Sequence, residues 1–205
     1  MAKKTEEPNL LQQLKEEIRQ GVPGRLYFFY GEEVFLLHHY LKQLHKVVID
    51  PLTESFNYHK LTAENFDLRT FADCVENLPM MAERTMVVVD EIDIFKMNEG
   101  DRERIIEILS DIPDYCTVVF TYETTVFKPD KRLKKLWETV SQCGTLVEFQ
   151  KQSQRDLVSW ISRHFAASGK RITPNLICTG IGTDLRNLTG QCSHCTTGNI
   201  HKVHT

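Results

Sequence analysis

Residues 76–90, ENLPMMAERTMVVVD, decide the fold, because an amphipathic helix ends there and a buried strand begins. Apolar residues leading into this stretch recur at steps of three and four, at Leu68, Phe71, Ala72, Val75 and Leu78. This spacing predicts a helix with one apolar face. Pro79 ends that helix, because proline lacks an amide hydrogen and its ring crowds the preceding turn. Residues 85–90 are mostly β-branched and predict a buried strand.

Two methionines, Met80 and Met81, lie between this helix and this strand. They fall off the apolar stripe of the helix and outside the strand. Soft, unbranched side chains at such a corner suit docking against the apolar surface of a partner. They would equally suit covering the core beneath a loop. The sequence favours neither interpretation over the other.

The same alternation of helices and strands runs through the first 149 residues. Besides 85–90, apolar runs predict strands at 26–30, near 57–61, at 116–122 and at 145–149. Helical spacing predicts helices at 10–18, 34–48, 68–78, 105–112 and 133–140. We therefore predict an α/β domain over residues 1–149, built on a parallel five-stranded sheet with helices on both faces.

Beyond residue 150 the apolar spacing is helical only, with one stripe at Leu157, Trp160, Ile161 and Phe165. We predict a small all-helical lid domain over residues 150–205. Its last part, from Thr189, lacks the apolar periodicity of a helix and predicts an atypical, truncated or altered end.

Composition is that of an ordinary globular protein, with 41% hydrophobic and 26% charged residues. A net charge of -3 provides no general attraction to nucleic acid, so any such contact needs a local basic patch. The sequence has neither the apolar core of a signal peptide nor an apolar run of transmembrane length. Six scattered cysteines argue against a secreted disulfide framework. We expect a cytoplasmic protein with no membrane partner.

Four segments resemble, in the same order, the delta subunit of the bacterial DNA polymerase III clamp loader. They are 26–36 (LYFFYGEEVFL), 77–89 (NLPMMAERTMVVV), 148–161 (EFQKQSQRDLVSWI) and 182–188 (GTDLRNL). The resemblance implies an AAA+-like, P-loop NTPase-like α/β domain without a functional P-loop, followed by the helical lid. Members also carry a third, helical collar domain, and this chain ends before it. That departure puts assembly with the other loader subunits in question.

The resemblance also implies a function. A delta subunit binds the sliding clamp, the beta subunit, and promotes opening of its ring for loading onto DNA during replication. It has no cofactor and no catalytic site of its own, although it belongs to a holoenzyme that is a DNA-directed DNA polymerase. Further implied partners are the gamma/tau and delta-prime subunits, if the collar domain is supplied, and DNA through the assembled complex.

In that family two apolar residues at the corner after the long helix enter a hydrophobic pocket of the clamp. The matching positions here are Met80 and Met81, with Leu78 and Pro79 completing the implied clamp-binding segment. A bulky aromatic residue or a leucine is commoner at these positions in relatives.

An active nucleotide hydrolase of the same fold is the first alternative. Asp90 and Glu91 follow a β-branched run, as the magnesium-holding carboxylate and the water-activating glutamate do in such enzymes. A phosphate cradle after the first strand would also be needed. Gly31, Glu32 and Glu33 stand there instead, at the first turn of the predicted helix, and carboxylates repel phosphate. We therefore expect Asp90 and Glu91 to be a strand end and a turn.

Two further clusters each allow two interpretations. The dense basic run comprises Lys128, Lys131, Arg132, Lys134 and Lys135. It is either a solvated face or a contact for DNA phosphates or an acidic partner. The tail contains Cys192, Cys195, His201 and His204. These residues are either fortuitous cysteines and histidines in a disordered tail or the ligands of a zinc-stabilised adaptor, although their spacing fits no common zinc finger.

Overall fold

The computed structural model describes residues 10–151. Its helices are α1 (Leu10–Gln20), α2 (Val34–Val48), α3 (Glu54–Asn57), α4 (Leu68–Glu76), α5 (Glu99–Ser110) and α6 (Lys134–Cys143). Its strands are β1 (Leu26–Tyr30), β2 (Tyr58–Leu61), β3 (Thr85–Asp90), β4 (Cys116–Tyr122) and β5 (Thr145–Glu148). A short 3-10 helix spans Ile94–Lys96. No helix within these residues combines the length and apolar character that crossing a membrane requires.

All five strands join one parallel sheet in the order β2-β3-β4-β1-β5. Both faces are covered by apolar side chains. Phe28 stacks on Phe120 with ring centroids 4.9 Å apart, whereas the next residue, Phe29, packs against Phe149 at 5.3 Å. Consecutive strand residues point to opposite faces, and all four of these rings are fully buried. This confirms the predicted parallel five-stranded α/β fold.

Several helices begin later or end earlier than the sequence predicts. The stripe of α4 includes Leu78, but the helix ends at Glu76, and Leu78 is an exposed loop residue. Ile112 follows the end of α5 and is buried all the same, and Leu133 is the residue that precedes α6. Glu32 and Glu33 likewise precede α2, so their predicted place in its first turn is wrong. Apolar spacing reports burial, which continues past a helix end.

Parallel pairing fixes which loops meet at each edge of the sheet. The strands β2 and β3 begin at one edge, which we call the amino edge, and Tyr58 lies opposite Met86 there. The residues that precede these two strands, Asn57 and the segment 77–84, are therefore neighbours. The ends of β1 and β3, where a nucleotide hydrolase of this fold would bind phosphate, lie at the opposite, carboxyl edge.

The chain divides into two units between Gln150 and Lys151. The described residues belong to the first unit, apart from Lys151. Apart from residues 150 and 151, the helical lid and the atypical tail predicted for residues 150–205 lie outside the described residues.

Candidate protein-binding corner and the edges of the sheet

We call residues 77–84, which connect α4 to β3, the corner. Asp67 caps the N-terminus of α4, the helix before the corner, because its carboxylate accepts hydrogen bonds from the backbone N–H groups of Arg69 and Thr70. This helix ends with Asn77 in an extended conformation, two residues before Pro79. The helix therefore stops sharply, and eight residues are left to reach the strand.

The apolar side chains of the corner are exposed. Leu78 is 77% exposed, Met80 53% and Met81 89%, whereas Pro79 is half-buried. Methionines that cover a core lose most of their exposure, so that interpretation of Met80 and Met81 does not hold. Exposed apolar side chains this close together are uncommon on a protein surface that has no partner.

The backbone of Met81 is strained. Its φ of 55° lies in the left-handed region, which residues other than glycine adopt at an expense of about 1–2 kcal/mol. Such strain persists only where the surrounding structure holds it, and it often accompanies function. Here it turns an almost fully exposed methionine outward at the tip of the corner.

Asn57 holds the corner in place from the end of α3. Its side-chain amide donates a hydrogen bond of 2.9 Å to the Met80 carbonyl, and its side-chain oxygen accepts one of 2.7 Å from the Met80 N–H. Asn57 is 1% exposed, so these bonds are shielded from water on its side. Sequence reasoning missed this residue. The sequence contains no signal for it, because residues 53–55 shortly before it are polar as well and Asn57 is predicted only as the start of a strand.

Tyr115 fixes both ends of the corner. Its hydroxyl donates to the carbonyl of Glu76, the last residue of α4, at 2.8 Å. Its own carbonyl accepts from the N–H of Thr85, the first residue of β3, at 2.9 Å. The corner is thus tied at its beginning, at Met80 and at its end, so the two methionines are presented by a rigid loop.

Within residues 10–151, the carboxyl edge has no phosphate cradle after β1. Gly31 follows β1 with a φ of 131°, and a Cβ there would lie 2.4 Å from the carbonyl oxygen of Phe149. The N–H of Glu33, just before α2, donates to the same oxygen at 2.9 Å. Glycine is therefore needed here for close approach of the backbone after β5, and an amide that could face a phosphate is already bonded within the fold.

Asp90 and Glu91 are also engaged within the fold. Asp90 ends β3 and pairs with Lys60, with 2.6 Å between Oδ2 and Nζ, while its Oδ1 accepts from the Thr121 hydroxyl. The Glu91 carboxylate accepts from the backbone N–H groups of Glu123, Thr124 and Thr125, at 2.6, 2.9 and 2.8 Å. Both carboxylates thus serve as the strand end and the turn that the sequence predicts.

We predict that the full chain neither binds ATP measurably nor hydrolyses it at physiological magnesium. The physical reason is that the loop after β1 is bonded to Phe149 and that the carboxylates of Asp90 and Glu91 already have partners within the fold. A filter-binding assay with labelled ATP and a phosphate-release assay check this. Turnover that disappears in Asp90→Asn would contradict the prediction and promote the nucleotide-hydrolase alternative.

A second prediction concerns Glu91 and pH. Partial burial raises the pKa of this carboxyl, but hydrogen bonds from the Thr125 side chain and three backbone amides outweigh it and lower the pKa from 4.5 to about 2. A lowered pKa stabilises the fold above about pH 4.5, and the contribution is lost as the pH falls toward 2. Glu91→Gln should therefore reduce the free energy of unfolding by about 1 kcal/mol at pH 7 and by less than half as much at pH 3. Urea unfolding at both pH values measures this, with Glu64→Gln as the exposed control. Equal losses at the two pH values would contradict it.

The basic run lies on the surface. Lys128, Lys131, Arg132, Lys134 and Lys135 are all exposed. Arg132 is paired with Asp130, with 2.8 Å between Nη2 and Oδ2, and the Lys131 ammonium lies 5.4 Å from the centre of the Trp137 ring. Lys128, Lys134 and Lys135 form no ion pair within residues 10–151, so these three carry most of the available positive charge.

Metal ligands do not gather in the described part of the chain, since residues 10–151 contain no group of three or more His, Cys, Asp or Glu side chains that could hold an ion. Cys192, Cys195, His201 and His204, the candidates named for zinc, lie outside these residues.

Comparison with known proteins matches residues 27–150, more than half of the chain, to the family described as DNA polymerase III, delta subunit. The chain is similar to DNA polymerase III subunit delta of Bacillus subtilis (strain 168), with 25% identity over 146 residues. That match covers 69% of this chain and 42% of the relative, so the chain spans less than half of the relative's length. The solved structure of the Bacillus subtilis DNA clamp loader delta protein matches with a TM-score of 0.67 and 17% identity, over 90% of this chain and 57% of that one. This structural likeness supports the fold alone.

Proposed function

Because this chain belongs to the family of DNA polymerase III delta subunits, we propose that it is a clamp-loader subunit that binds the sliding clamp and promotes opening of its ring for loading onto DNA. One observation above all supports the proposal: the exposed Met80 and Met81 on a corner that is hydrogen-bonded at three points. The gamma/tau and delta-prime subunits are the further partners that this role would bring, and DNA would be met through the complex they form.

Binding of the corner to an apolar pocket of the clamp would be driven by the removal of both methionine side chains from water. The rigid corner limits the conformational entropy lost on binding, because Asn57 and Tyr115 already hold the loop in one conformation. Methionine also adapts its shape to an irregular pocket better than a branched side chain does.

Ring opening follows from differential affinity. A subunit that binds the open ring more tightly than the closed ring shifts the population toward the open form, by no more than that difference in affinity. No bond is made or broken, so the chain needs no catalytic group for this task. The engaged Asp90 and Glu91 are consistent with a subunit that acts by binding only.

The experiment for this function measures ring opening. A clamp from the same genome is labelled with a fluorophore pair across its subunit interface, and the full chain is added. We expect the separation of the labels to increase with the wild-type chain and to stay unchanged with Met80→Ala/Met81→Ala. If the clamp binds the wild-type chain but its ring stays closed, the ring-opening role is wrong and only the clamp-binding role remains.

We also propose that Lys128, Lys134 and Lys135 contact DNA phosphates. Their charges are exposed and unpaired within residues 10–151, which favours this over a role for the salt-bridged Arg132. Replacing all three by glutamine should weaken binding of the chain to a DNA duplex and lower the slope of log K against log salt by up to about 3, since each lost phosphate contact accounts for about 0.9. Fluorescence anisotropy across a salt series measures this, with Arg132→Gln as the control. If the triple variant and the wild type show equal slopes of log K against log salt, the basic run is a solvated face and does not contact DNA.

A further inference from the structure

Exposed apolar side chains concentrate in two segments of the described residues, the corner and residues 50–57, which include the short helix α3. Within residues 10–151, seven large hydrophobic side chains are strongly exposed, and five of them lie in residues 50–57 or in the corner: Leu52, Phe56, Leu78, Met80 and Met81. The other two, Val22 and Val126, are isolated from one another in the sequence. Single exposed apolar residues need no explanation, but a concentration of them indicates an interaction surface.

Residues 50–57, which we call the 50–57 turn, are joined directly to the corner. The Asn57 side chain that bonds to both backbone groups of Met80 also donates to the Thr53 carbonyl at 3.2 Å. Leu52 immediately precedes Thr53, and Phe56 immediately precedes Asn57. The two exposed side chains of the turn are thus chain neighbours of the residues that connect it to the corner.

The 50–57 turn has a hydrogen-bonded frame of its own. The Asp50 carboxylate accepts from the Leu52 N–H at 2.9 Å, and the Asp50 carbonyl accepts from the Thr53 N–H at 3.0 Å. The Phe56 N–H donates to the Thr53 carbonyl at 3.0 Å. Leu52, 90% exposed, and Phe56, 56% exposed, are therefore presented by a fixed turn that continues the corner.

We propose that Leu52 and Phe56 form a second apolar contact for the same clamp surface that Met80 and Met81 engage, an inference that rests on the proposed function. Continuity with the corner supports this occupant, because Asn57 makes the two segments one unit. Size supports it too. A stable protein interface buries about 800 Å² on each partner, more than two methionine side chains supply. The clamp surface beside its pocket would then be apolar as well.

The test uses the full chain and a purified clamp from the same genome. Leu52→Asp places a charge in the proposed contact at a position too exposed to affect folding, and Phe56→Ala removes the aromatic ring. Each should lower the affinity for the clamp about tenfold or more. Val126→Asp, the same kind of change at an exposed position outside both segments, should leave the affinity unchanged.

Three results would overturn the inference, and they are distinguishable. If Met80→Ala/Met81→Ala loses the clamp while Leu52→Asp keeps wild-type affinity, the second contact is wrong and the proposed function stands. If the wild-type chain does not bind the clamp at all, both fail together. If sedimentation shows that the chain self-associates, and Leu52→Asp abolishes self-association but not clamp binding, then a second copy of the chain binds this surface.

Discussion

Replacing both Met80 and Met81 by alanine should weaken binding of the chain to its sliding clamp by about two orders of magnitude or more. Burying a methionine side chain fully contributes about 1.5–3 kcal/mol, and about 1.4 kcal/mol corresponds to a tenfold change in affinity. Both side chains are exposed at the corner, and a few residues at the centre of an interface account for most of the binding energy. Surface plasmon resonance with immobilised clamp measures the loss.

The control for this variant is its melting temperature. Met81 is 89% exposed and Met80 53%, so alanine at either position removes few contacts within residues 10–151. Met81→Gly is a second control, because glycine accepts the positive φ that strains methionine or alanine. Met81→Gly should be at least as stable as Met81→Ala and should bind the clamp no more tightly than Met81→Ala does. Unchanged clamp affinity, or collapse of the fold, in Met80→Ala/Met81→Ala would show that the anchor is misassigned.

Asn57→Ala should destabilise the domain by about 2 kcal/mol and weaken clamp binding about tenfold in the folded protein. The substitution removes the partners of the Met80 N–H and carbonyl, and an unsatisfied buried polar group is unfavourable by about 1–3 kcal/mol. The expected loss lies in the middle of this range, because Asn57 is buried whereas water reaches half-exposed Met80. The weaker binding follows from a corner that must be ordered when the clamp arrives.

Two variants sharpen the Asn57 experiment. Asn57→Asp keeps an acceptor for the Met80 N–H but directs a carboxylate at the Met80 and Thr53 carbonyls, so it should be at least as harmful as alanine. Asn65→Ala removes an exposed asparagine that also bonds to backbone groups and should leave clamp affinity unchanged. Titrations well below the melting temperature separate binding from folding. If folded Asn57→Ala binds the clamp with wild-type affinity, Asn57 does not position the corner for binding.

The strands could be predicted from the sequence because their chemistry is local. LYFFY at 26–30 and CTVVFTY at 116–122 are continuous apolar or β-branched runs, as strands buried on both faces require. Their alternation with helices predicts parallel pairing. The order β2-β3-β4-β1-β5 could not be predicted in the same way, because it depends on which crossovers pack together.

The candidate site was predicted only in part for the same reason. Met80 and Met81 stand out because Pro79 breaks the helix beside a strand. The bond between Asn57 and Met80 joins residues 23 positions apart and exists because β2 and β3 are neighbours. Leu78 was misplaced, because an apolar spacing of three continues whether or not the helix does.

The two edges of the sheet differ in a way that agrees with the proposed binding function. At the carboxyl edge, Gly31 lies close to Phe149 and the Glu91 carboxylate is bonded to three amides. At the amino edge, the corner and the 50–57 turn present five exposed apolar side chains. The proposed function places the partner at the amino edge and needs no chemistry at the carboxyl edge.

The most direct measurement uses the methionine methyl groups as reporters. The chain has five methionines: Met1, Met80, Met81, Met86 and Met97. Met86 is fully buried in β3, and Met97 is half-buried beyond the other end of that strand. With the methyl groups labelled with carbon-13, addition of the unlabelled clamp should shift or broaden the signals of Met80 and Met81 and leave that of Met97 unchanged. If the clamp binds saturably and both signals stay unchanged, Met80 and Met81 do not contact the clamp.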